Sequence, residues 1–411
     1  MTASGAFRSE SARRAWVLFL AAFALVHGLY QAGRAFLHPK QGLDLAPAYV
    51  AGRMVAEGDL RVYDDPAVDA RARTLGVHGP AGPGDPVLNF IYPPWVPGLY
   101  APLSWLSWPA ARRVWFLLSL GAALLSVLLL SRAAGRERVE QARLLGLGLL
   151  LSAFSFPLAY GLMTGQSNDL LLLLAAGGLL LLSRDRPFLA GLVLAPAALW
   201  KPFLCFPAFF LLARREGKAL LGLLLGAAAL FAASPGGREA WEAWGRQVSA
   251  HNAVTAVEPR NHGLSQAALV LAPSPESLPL VRGVLFGLAI LLALAALLPR
   301  SRRGEPLYAL QLGATLVLGV LLTPKAWEHY GVFLLPALVA AFALAAERGR
   351  AGALLALGAV AAVWGGLLEP REEYEALSGA GLELLLPLKA YAGLALLGVA
   401  AFLAWTARRK A

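Results

Sequence analysis

Long apolar blocks recur along this chain and, more than any other feature, restrict it to a fold inside a lipid bilayer. Hydrophobic residues make up 58% of the 411 residues, and the mean hydropathy is +0.61. A helix that crosses the hydrocarbon core needs about 20 apolar residues. We therefore predict an all-α integral membrane protein with about 12 transmembrane helices. The predicted segments are 15–34, 112–130, 143–160, 169–183, 187–200, 202–213, 218–234, 279–298, 307–323, 330–346, 351–368 and 387–406.

Basic residues divide the connections between these segments into two classes. Connections rich in Lys and Arg stay in the cytoplasm, so we predict that this class and both termini are cytoplasmic. The net charge of +11 is then explained by the excess of Lys and Arg in the cytoplasmic connections, and no nucleic-acid partner is expected. The basic connections contain Arg132, Arg136 and Arg138, then Arg184 and Arg186, then Arg214, Arg215 and Lys218, then Arg300, Arg302 and Arg303, and finally Arg348 and Arg350.

Two long connections, 35–111 and 235–278, fall on the opposite, extracytoplasmic side. We expect the chain 1–411 to form a single polytopic domain in the cell membrane, with short amphipathic helices in these outer loops. The first apolar segment has a basic flank but lacks a convincing cleavage site, so it is predicted to be an uncleaved helix. The lone cysteine, Cys205, excludes an intrachain disulfide and is expected to serve packing.

Lys201 lies between two apolar runs, 187–200 and 203–213, each too short to cross a bilayer alone. A charge at membrane depth costs about 2.5 kcal/mol or more and normally faces a polar cavity. The pattern predicts a broken helical hairpin whose tip presents the ammonium to an anionic ligand.

Asp44 precedes a predicted short helix, 45–57, in the first outer loop. This helix carries Tyr49, Val50 and Met54 and is expected to lie in the membrane interface. Asp44 is interpreted either as the N-cap of that helix or as a carboxylate that takes a proton from an acceptor hydroxyl. The two interpretations are compatible.

Two further polar groups stand in or near the outer turns. Asn89 and Tyr92 belong to an aromatic stretch that continues to Trp108, which indicates an interface belt or contacts to a sugar or lipid phosphate. Gln166 and Asn168 lie in the short neutral turn 161–169, where Asn168 is either a helix cap or a ligand and Gln166 is suited to binding hydroxyls.

The last polar turn combines a cation, an acid and an imidazole between two apolar helices, and ionisable residues at this depth are site candidates. It contains Lys325, Trp327, Glu328 and His329. Arg260, Asn261 and His262 follow an amphipathic stretch, 241–248, that is predicted to lie on the membrane surface; they form either a solvated loop or part of a site. No histidine pair, cysteine cluster or phosphate-binding glycine loop occurs, so neither a metal nor ATP is expected.

At these residues the chain resembles the membrane glycosyltransferases of family 87, part of the GT-C superfamily, whose best-known members are polyprenyl-phosphate-mannose-dependent mannosyltransferases. The likeness follows Asp44, Tyr92-Pro93-Pro94 with Pro102-Leu103, Gly165-Gln166-x-Asn168, Lys201-Pro202 and Trp327-x-His329. The chain departs from the family at Asn261-His262-Gly263, where Asn-Gln-Ser is frequent, and at Tyr330, where a second histidine is frequent. Lys325 and Glu328 are also outside the family pattern.

The resemblance implies a GT-C fold, a polyprenyl-phosphate-linked sugar donor, a glycolipid or glycan acceptor, inversion at the anomeric carbon, and no cofactor or obligatory metal. A departing phosphate is an anion and needs cationic hydrogen-bond donors rather than a general acid. From the resemblance together with the residues themselves, we assign the following roles as hypotheses: Asp44 as base; Lys201, His329 and Lys325 as phosphate ligands; Tyr92, Asn89, Gln166, Asn168, Trp327 and Glu328 as sugar or donor contacts; and Arg260, Asn261 and His262 as acceptor or loop candidates.

Two alternatives stay open at this point. Broken helices with polar tips also mark the substrate sites of secondary transporters and flippases, although those usually carry matching breaks in two halves. Another GT-C-like enzyme, acting on a lipid-linked aminosugar or ligating a polysaccharide, fits the same residues.

Overall fold

Helices form almost all of the structure, a computed structural model that describes residues 10–38, 41–79, 82, 85–87, 89–135, 137–252, 258, 261–365, 382, 385 and 387–408. These residues contain eighteen α-helices, three short 3₁₀ helices and no β-strand, which confirms the predicted all-α fold. The α-helices are α1 (Glu10–Leu37), α2 (Ala46–Ala56), α3 (Asp65–Thr74), α4 (Val96–Ser104), α5 (Trp108–Ala134), α6 (Arg138–Ala153), α7 (Phe156–Thr164), α8 (Asn168–Ser183), α9 (Pro187–Trp200), α10 (Pro207–Ala213), α11 (Gly217–Ala232), α12 (Gly237–His251), α13 (Leu264–Leu271), α14 (Leu278–Leu297), α15 (Pro306–Leu322), α16 (Leu335–Glu347), α17 (Ala351–Gly365) and α18 (Leu388–Arg408).

Four helical stretches of the described chain are long and apolar enough to cross a bilayer: α5, Pro275–Leu297, Glu328–Glu347 and Leu388–Thr406. Two bent pairs, α6 with α7 and α11 with α12, raise the number to six if each pair is one span. Each of the twelve predicted segments overlaps a helix or a helix pair, but several of these helices are short, and 366–368 lie outside the described residues. The count of twelve crossings therefore stays a prediction.

Apolar side chains cover the outside of the helix bundle, as expected for surfaces in contact with lipid. On α14, Leu280 and Leu291 are 71% and 67% exposed, and Leu117 of α5 and Leu224 of α11 are exposed to a similar degree. At the centre, α15 is buried along its whole length up to Leu321. The bundle thus has an apolar exterior wrapped around an apolar core.

Glycines bring α9 and α11 into backbone contact. A Cβ added to Gly191 would lie 1.9 Å from the carbonyl oxygen of Ala219, and one added to Gly222 would lie 2.2 Å from that of Phe188. Small residues at such crossings allow helices to pack by van der Waals contact, the main attraction available within lipid. This packing fixes α9, the helix that leads to Lys201.

Arg303 joins both arms of the predicted hairpin at one end of the bundle. It pairs with Asp185, which precedes α9, and with Glu216, which follows α10, where its Nε lies 3.0 Å from Oε1. The two arms therefore start and finish at the same end. Lys201 lies at the other end, in extended backbone between α9 and a 3₁₀ turn, Pro202–Cys205. The predicted break at Lys201 is confirmed.

The short helix of the first outer loop differs from its predicted environment. α2 is buried inside the protein against α4, with Tyr49, Val50 and Met54 at 2% exposure or less. A Cβ on Gly52 would lie 2.7 Å from the backbone of Tyr100, so the two helices touch closely. An apolar helix face fits a protein core as well as a membrane interface, and here the core is its partner.

Candidate active site

Lys201 is the centre of a buried polar network. Its side chain is 5% exposed, and its Nζ donates to Asn168 Oδ1 at 2.7 Å and to Gln166 Oε1 at 3.2 Å. The same Nζ lies 4.3 Å from the ring centroid of Tyr330, a cation–π distance. An ammonium has three N–H donors, and the two amide contacts use two of them.

The turn that supplies Gln166 and Asn168 also holds the Asp44 segment in place. Asp44 N–H donates to the Thr164 carbonyl at 2.7 Å, and Trp115 Nε1 donates to the Gly165 carbonyl at 2.9 Å. Gly165 has a φ of +78°, and a Cβ there would lie 2.9 Å from that of Leu45. Glycine is required at this position because a side chain would push the two segments apart.

Asp44 lies in the same site as Lys201. Its half-buried carboxylate is close enough to interact electrostatically with Lys201, Tyr92 and Tyr330. The N-cap residue of α2 is Leu45, with no side-chain cap bond, so the N-cap interpretation of Asp44 is wrong. A carboxylate and a cation are thereby brought together at one end of the bundle.

Asn168 connects Lys201 to the 328–330 segment. Besides accepting from Lys201, it donates from Nδ2 to the His329 carbonyl at 2.8 Å. The N-cap position of α8 belongs to Ser167, so the helix-cap interpretation of Asn168 is wrong. The His329 ring lies between the rings of Tyr160 and Tyr330, at 6.2 and 4.9 Å. Its Nδ1 is buried and has no hydrogen-bond partner among the described residues.

Glu328 is a buried carboxylate that links three parts of the chain. Its two oxygens lie 2.5 Å from His262 Nε2 and 2.5 Å from Lys389 Nζ, the latter at the start of α18. Glu328 itself is 1% exposed. We name these three residues the Glu328 bridge; it ties the second outer loop and α18 to the segment that carries His329.

A cavity of about 270 Å³ opens beside Lys201, and we name it the Lys201 cavity. Aromatic rings form much of its wall, with Trp200 packed edge-on against Tyr92 and Trp95 at ring distances of 6.2 and 5.3 Å. The indole Nε1 of Trp200 is buried without a partner in the described chain. The cavity offers one cation, indole and phenol donors, and apolar surface.

The remaining predicted residues fall around this cavity or in its support. Tyr92 donates to Gln166 Oε1 at 3.4 Å. Lys325 pairs with Glu258 at 2.8 Å, and Asn261 fastens its own loop to the 324–327 turn by bonds to the Pro324 carbonyl and Ala326 N–H. Trp327 forms an isolated β-bridge with Asn261. Arg260 lies outside the described residues, and Asn89 lines a neighbouring cavity.

Sequence reasoning missed two charged members of this region. Asp169 is 1% exposed, neither of its oxygens has a hydrogen-bond partner in the described chain, and it interacts electrostatically with Lys201. A carboxylate in the first turn of a helix looks like a favourable helix-dipole contact, so the sequence gives no further signal. Lys389 was missed because, in the sequence, it looks like a lysine at a helix end whose side chain extends to the membrane interface.

The arrangement can bind an anion at Lys201 and accept a proton at Asp44. Within the described residues, no group of three or more His, Cys, Asp or Glu side chains is placed to hold a metal ion. Burial raises the pKa of the Tyr63 phenol, which therefore stays protonated and donates to the Tyr92 carbonyl at 2.7 Å. That bond supports the wall of the Lys201 cavity.

Comparison with known proteins agrees with these features. The model of glycosyltransferase family 87 matches residues 90–324, more than half of the chain. The chain is similar to the polyprenol-phosphate-mannose-dependent alpha-(1-2)-phosphatidylinositol mannoside mannosyltransferase of Mycobacterium tuberculosis, with 29% identity over 325 residues that cover 72% of this chain and 73% of that protein. No solved structure matches the chain. The resemblance inferred from the motifs is confirmed: this chain belongs to glycosyltransferase family 87 and is a membrane glycosyltransferase.

Proposed function

We propose that this enzyme transfers a hexose, with mannose the first candidate, from a polyprenyl-phosphate donor to a hydroxyl of a glycolipid or glycan. The observation that supports it most is the buried ammonium of Lys201, which faces a cavity and lies within electrostatic range of the Asp44 carboxylate. The name of the mycobacterial relative states a polyprenol-phosphate-mannose donor, which agrees with an anion site at membrane depth.

In the proposed reaction, Asp44 takes the proton of the acceptor hydroxyl while that oxygen attacks the anomeric carbon. The bond from the anomeric carbon to the phosphate oxygen breaks, and its electron pair leaves with the lipid phosphate. Lys201 donates an N–H to the departing phosphate, and His329 supports the same group. Attack opposite the leaving group inverts the anomeric centre. No general acid is needed because phosphate is stable as an anion.

We further propose that the active site is extracytoplasmic, in the cell membrane, with twelve crossings and both termini in the cytoplasm. Support comes from the position of the arginines. Arg303 contacts Asp185 and Glu216 at the start of α15, whereas Thr323, just past the end of α15, lines the Lys201 cavity. The basic connection and the site thus lie at opposite ends of one helix, as the positive-inside rule requires.

The test is Asp44→Asn, assayed for transfer from polyprenyl-phosphate-mannose in purified protein. Loss of a positioned base lowers kcat by about 10²- to 10⁴-fold, while donor binding is retained because Lys201 is still present. The control is Asp59→Asn in the same outer loop, whose carboxylate forms an exposed pair with Arg61 and contributes little. Wild-type turnover by Asp44→Asn removes Asp44 from the mechanism, and unmodified donor crossing vesicles would indicate transport instead.

A further inference from the structure

A second cavity, of about 550 Å³, lies beside the Lys201 cavity and shares Ile91 and His251 with it. We name it the α12 cavity because that helix forms one of its walls. The facing wall comes from Tyr63 and from residues near the start of α3 and at 89–91. The reaction described above uses none of its polar side chains.

The chemistry of the α12 cavity differs from that of its neighbour. Asp65, Asn89, Gln247 and His251 offer hydrogen-bond donors and acceptors suited to sugar hydroxyls, and Arg246 offers a guanidinium suited to a phosphodiester. Gln247 Nε2 donates to Asp65 Oδ1 at 3.2 Å, which links α12 to α3 across the cavity. Arg246 and Asn89 are exposed and can reach a ligand.

The position of α12 places this cavity at the membrane surface. α12 turns away from the apolar α11 by 103°, so it runs across the end of a helix whose apolar side chains suit the membrane interior. Trp241 stacks on Phe231 of α11 at 4.9 Å, and Trp244 Nε1 donates to the Ile91 carbonyl at 3.0 Å. Tryptophans typically anchor such helices at headgroup level. A ligand there is most simply one that is itself held in the membrane.

The α12 cavity also connects to the reacting groups. Tyr63 lines it and bonds to the carbonyl of Tyr92, whose ring lines the Lys201 cavity. We propose that the α12 cavity binds the headgroup of an anionic glycolipid acceptor, with Asn89 and Gln247 on sugar hydroxyls and Arg246 on the phosphodiester. This rests on the proposed function, since it assigns the acceptor of that reaction. The acceptor hydroxyl would then enter past Ile91 toward Asp44.

Two matched arginines on α12 test the proposal. Arg246 lines the cavity, whereas Arg238 is exposed on the same helix and pairs with Glu242 at 2.6 Å. The probes are phosphatidylinositol mannoside and a neutral mannosyl diacylglycerol. Arg246→Gln should raise KM for the anionic probe about tenfold with little change for the neutral one, and Asn89→Ala should raise both. Donor KM and kcat should stay unchanged, and Arg238→Gln should behave as wild type.

Binding of the same two glycolipids without donor, followed by native mass spectrometry, separates this proposal from the proposed function. Protein that binds phosphatidylinositol mannoside through Arg246 but transfers no sugar would refute the function and keep the cavity assignment. Transfer that neither Arg246→Gln nor Asn89→Ala alters would overturn the cavity assignment and keep the function. A rise in donor KM instead of acceptor KM, or no binding of either glycolipid to wild type, would also overturn it.

Discussion

At the scale of single residues, Lys201 shows how a membrane protein keeps a charge at depth. Asn168 and Gln166 each give it an amide oxygen, Tyr330 gives it a ring face, and Asp44 and Asp169 lie within electrostatic range. An unpaired ion in this position would be costly, and a single partner would leave most of its donors unsatisfied. The network therefore stabilises the Lys201 ammonium mainly through neutral groups, so the ammonium can still bind an anionic ligand.

We predict that Lys201→Met weakens donor binding, because it removes the ammonium that donates to the anion. Methionine is similar in length to lysine but leaves the amide oxygens of Gln166 and Asn168 without this donor, so some loss of thermal stability is expected as well. A hydrogen bond to a charged group contributes about 1.5–3 kcal/mol, which corresponds to a roughly 10- to 100-fold rise in Kd. The measurement is binding of polyprenyl phosphate to the purified protein. Lys218→Met, an exposed lysine at the start of α11, is the control and should bind normally. Equal affinity in the two variants would remove Lys201 from the phosphate site.

Part of this network could be read from the sequence. Lys201 was identifiable because a lysine between two short apolar runs needs a polar environment, and Gln166 and Asn168 because amides near membrane depth need partners. The contacts themselves could not be predicted from the sequence, because Asn168 donates to the carbonyl of His329, which lies 161 residues further along the chain. Asp169 and Lys389 were missed because each has an ordinary role at a helix end. Pairing over such separations is a property of tertiary packing.

At the scale of elements, the Glu328 bridge couples α18 and the second outer loop to the site. Glu328 precedes His329, whose carbonyl accepts from Asn168, which in turn holds Lys201. A shift of Glu328 is therefore expected to move the Lys201 ammonium, because two hydrogen bonds, from Asn168 to the His329 carbonyl and from Lys201 to Asn168, connect them. Because His262 and Lys389 contact Glu328, we expect them to act through it as positioning residues.

We predict that Lys389→Met destabilises the protein, because it leaves the buried Glu328 carboxylate with His262 as its remaining partner in the bridge. Breaking a buried pair on one side costs about 3–5 kcal/mol, whereas replacing both partners by neutral groups is often nearly neutral. The double variant Lys389→Met/Glu328→Gln should therefore recover most of the thermal stability lost in the single one. Melting temperature and donor KM are the measurements. If the double variant is less stable than Lys389→Met alone, the coupling is absent.

Some elements followed from local pattern and others did not. The break at Lys201-Pro202 was predictable, since proline stops helices and both flanking runs are short. The predicted segment 143–160 is instead divided between α6 and α7, which meet at 64° around Phe154 and Ser155. Pro157 lies at the start of α7, where proline is favoured, so the sequence does contain a signal for that new start. The burial of α2 has no local signal.

At the scale of the whole molecule, the two ends of the helix bundle have different chemistry. One end gathers the basic connections, where Arg303 meets Asp185 and Glu216 and where Glu347 interacts with Glu140 and Glu305. The other end holds Asp44, the Lys201 cavity and the α12 cavity. If both substrates are lipid-linked, as proposed, they would enter sideways from the bilayer, and we expect both cavities to open toward the same leaflet.

This polarity predicts which ends of the helices reagents can reach. In a Cys205→Ser background, which removes the lone cysteine, we expect Ser249→Cys on α12 to react with a membrane-impermeant maleimide in intact cells. Glu137→Cys, just before α6, should react only after the membrane is permeabilised, because its connection lies with the basic ones. Both positions are exposed, so accessibility to solvent does not differ between them. Labelling of Glu137→Cys but not Ser249→Cys in intact cells would place the active site on the cytoplasmic side and reverse the proposed orientation, while the arrangement of Asp44 and Lys201 would stand.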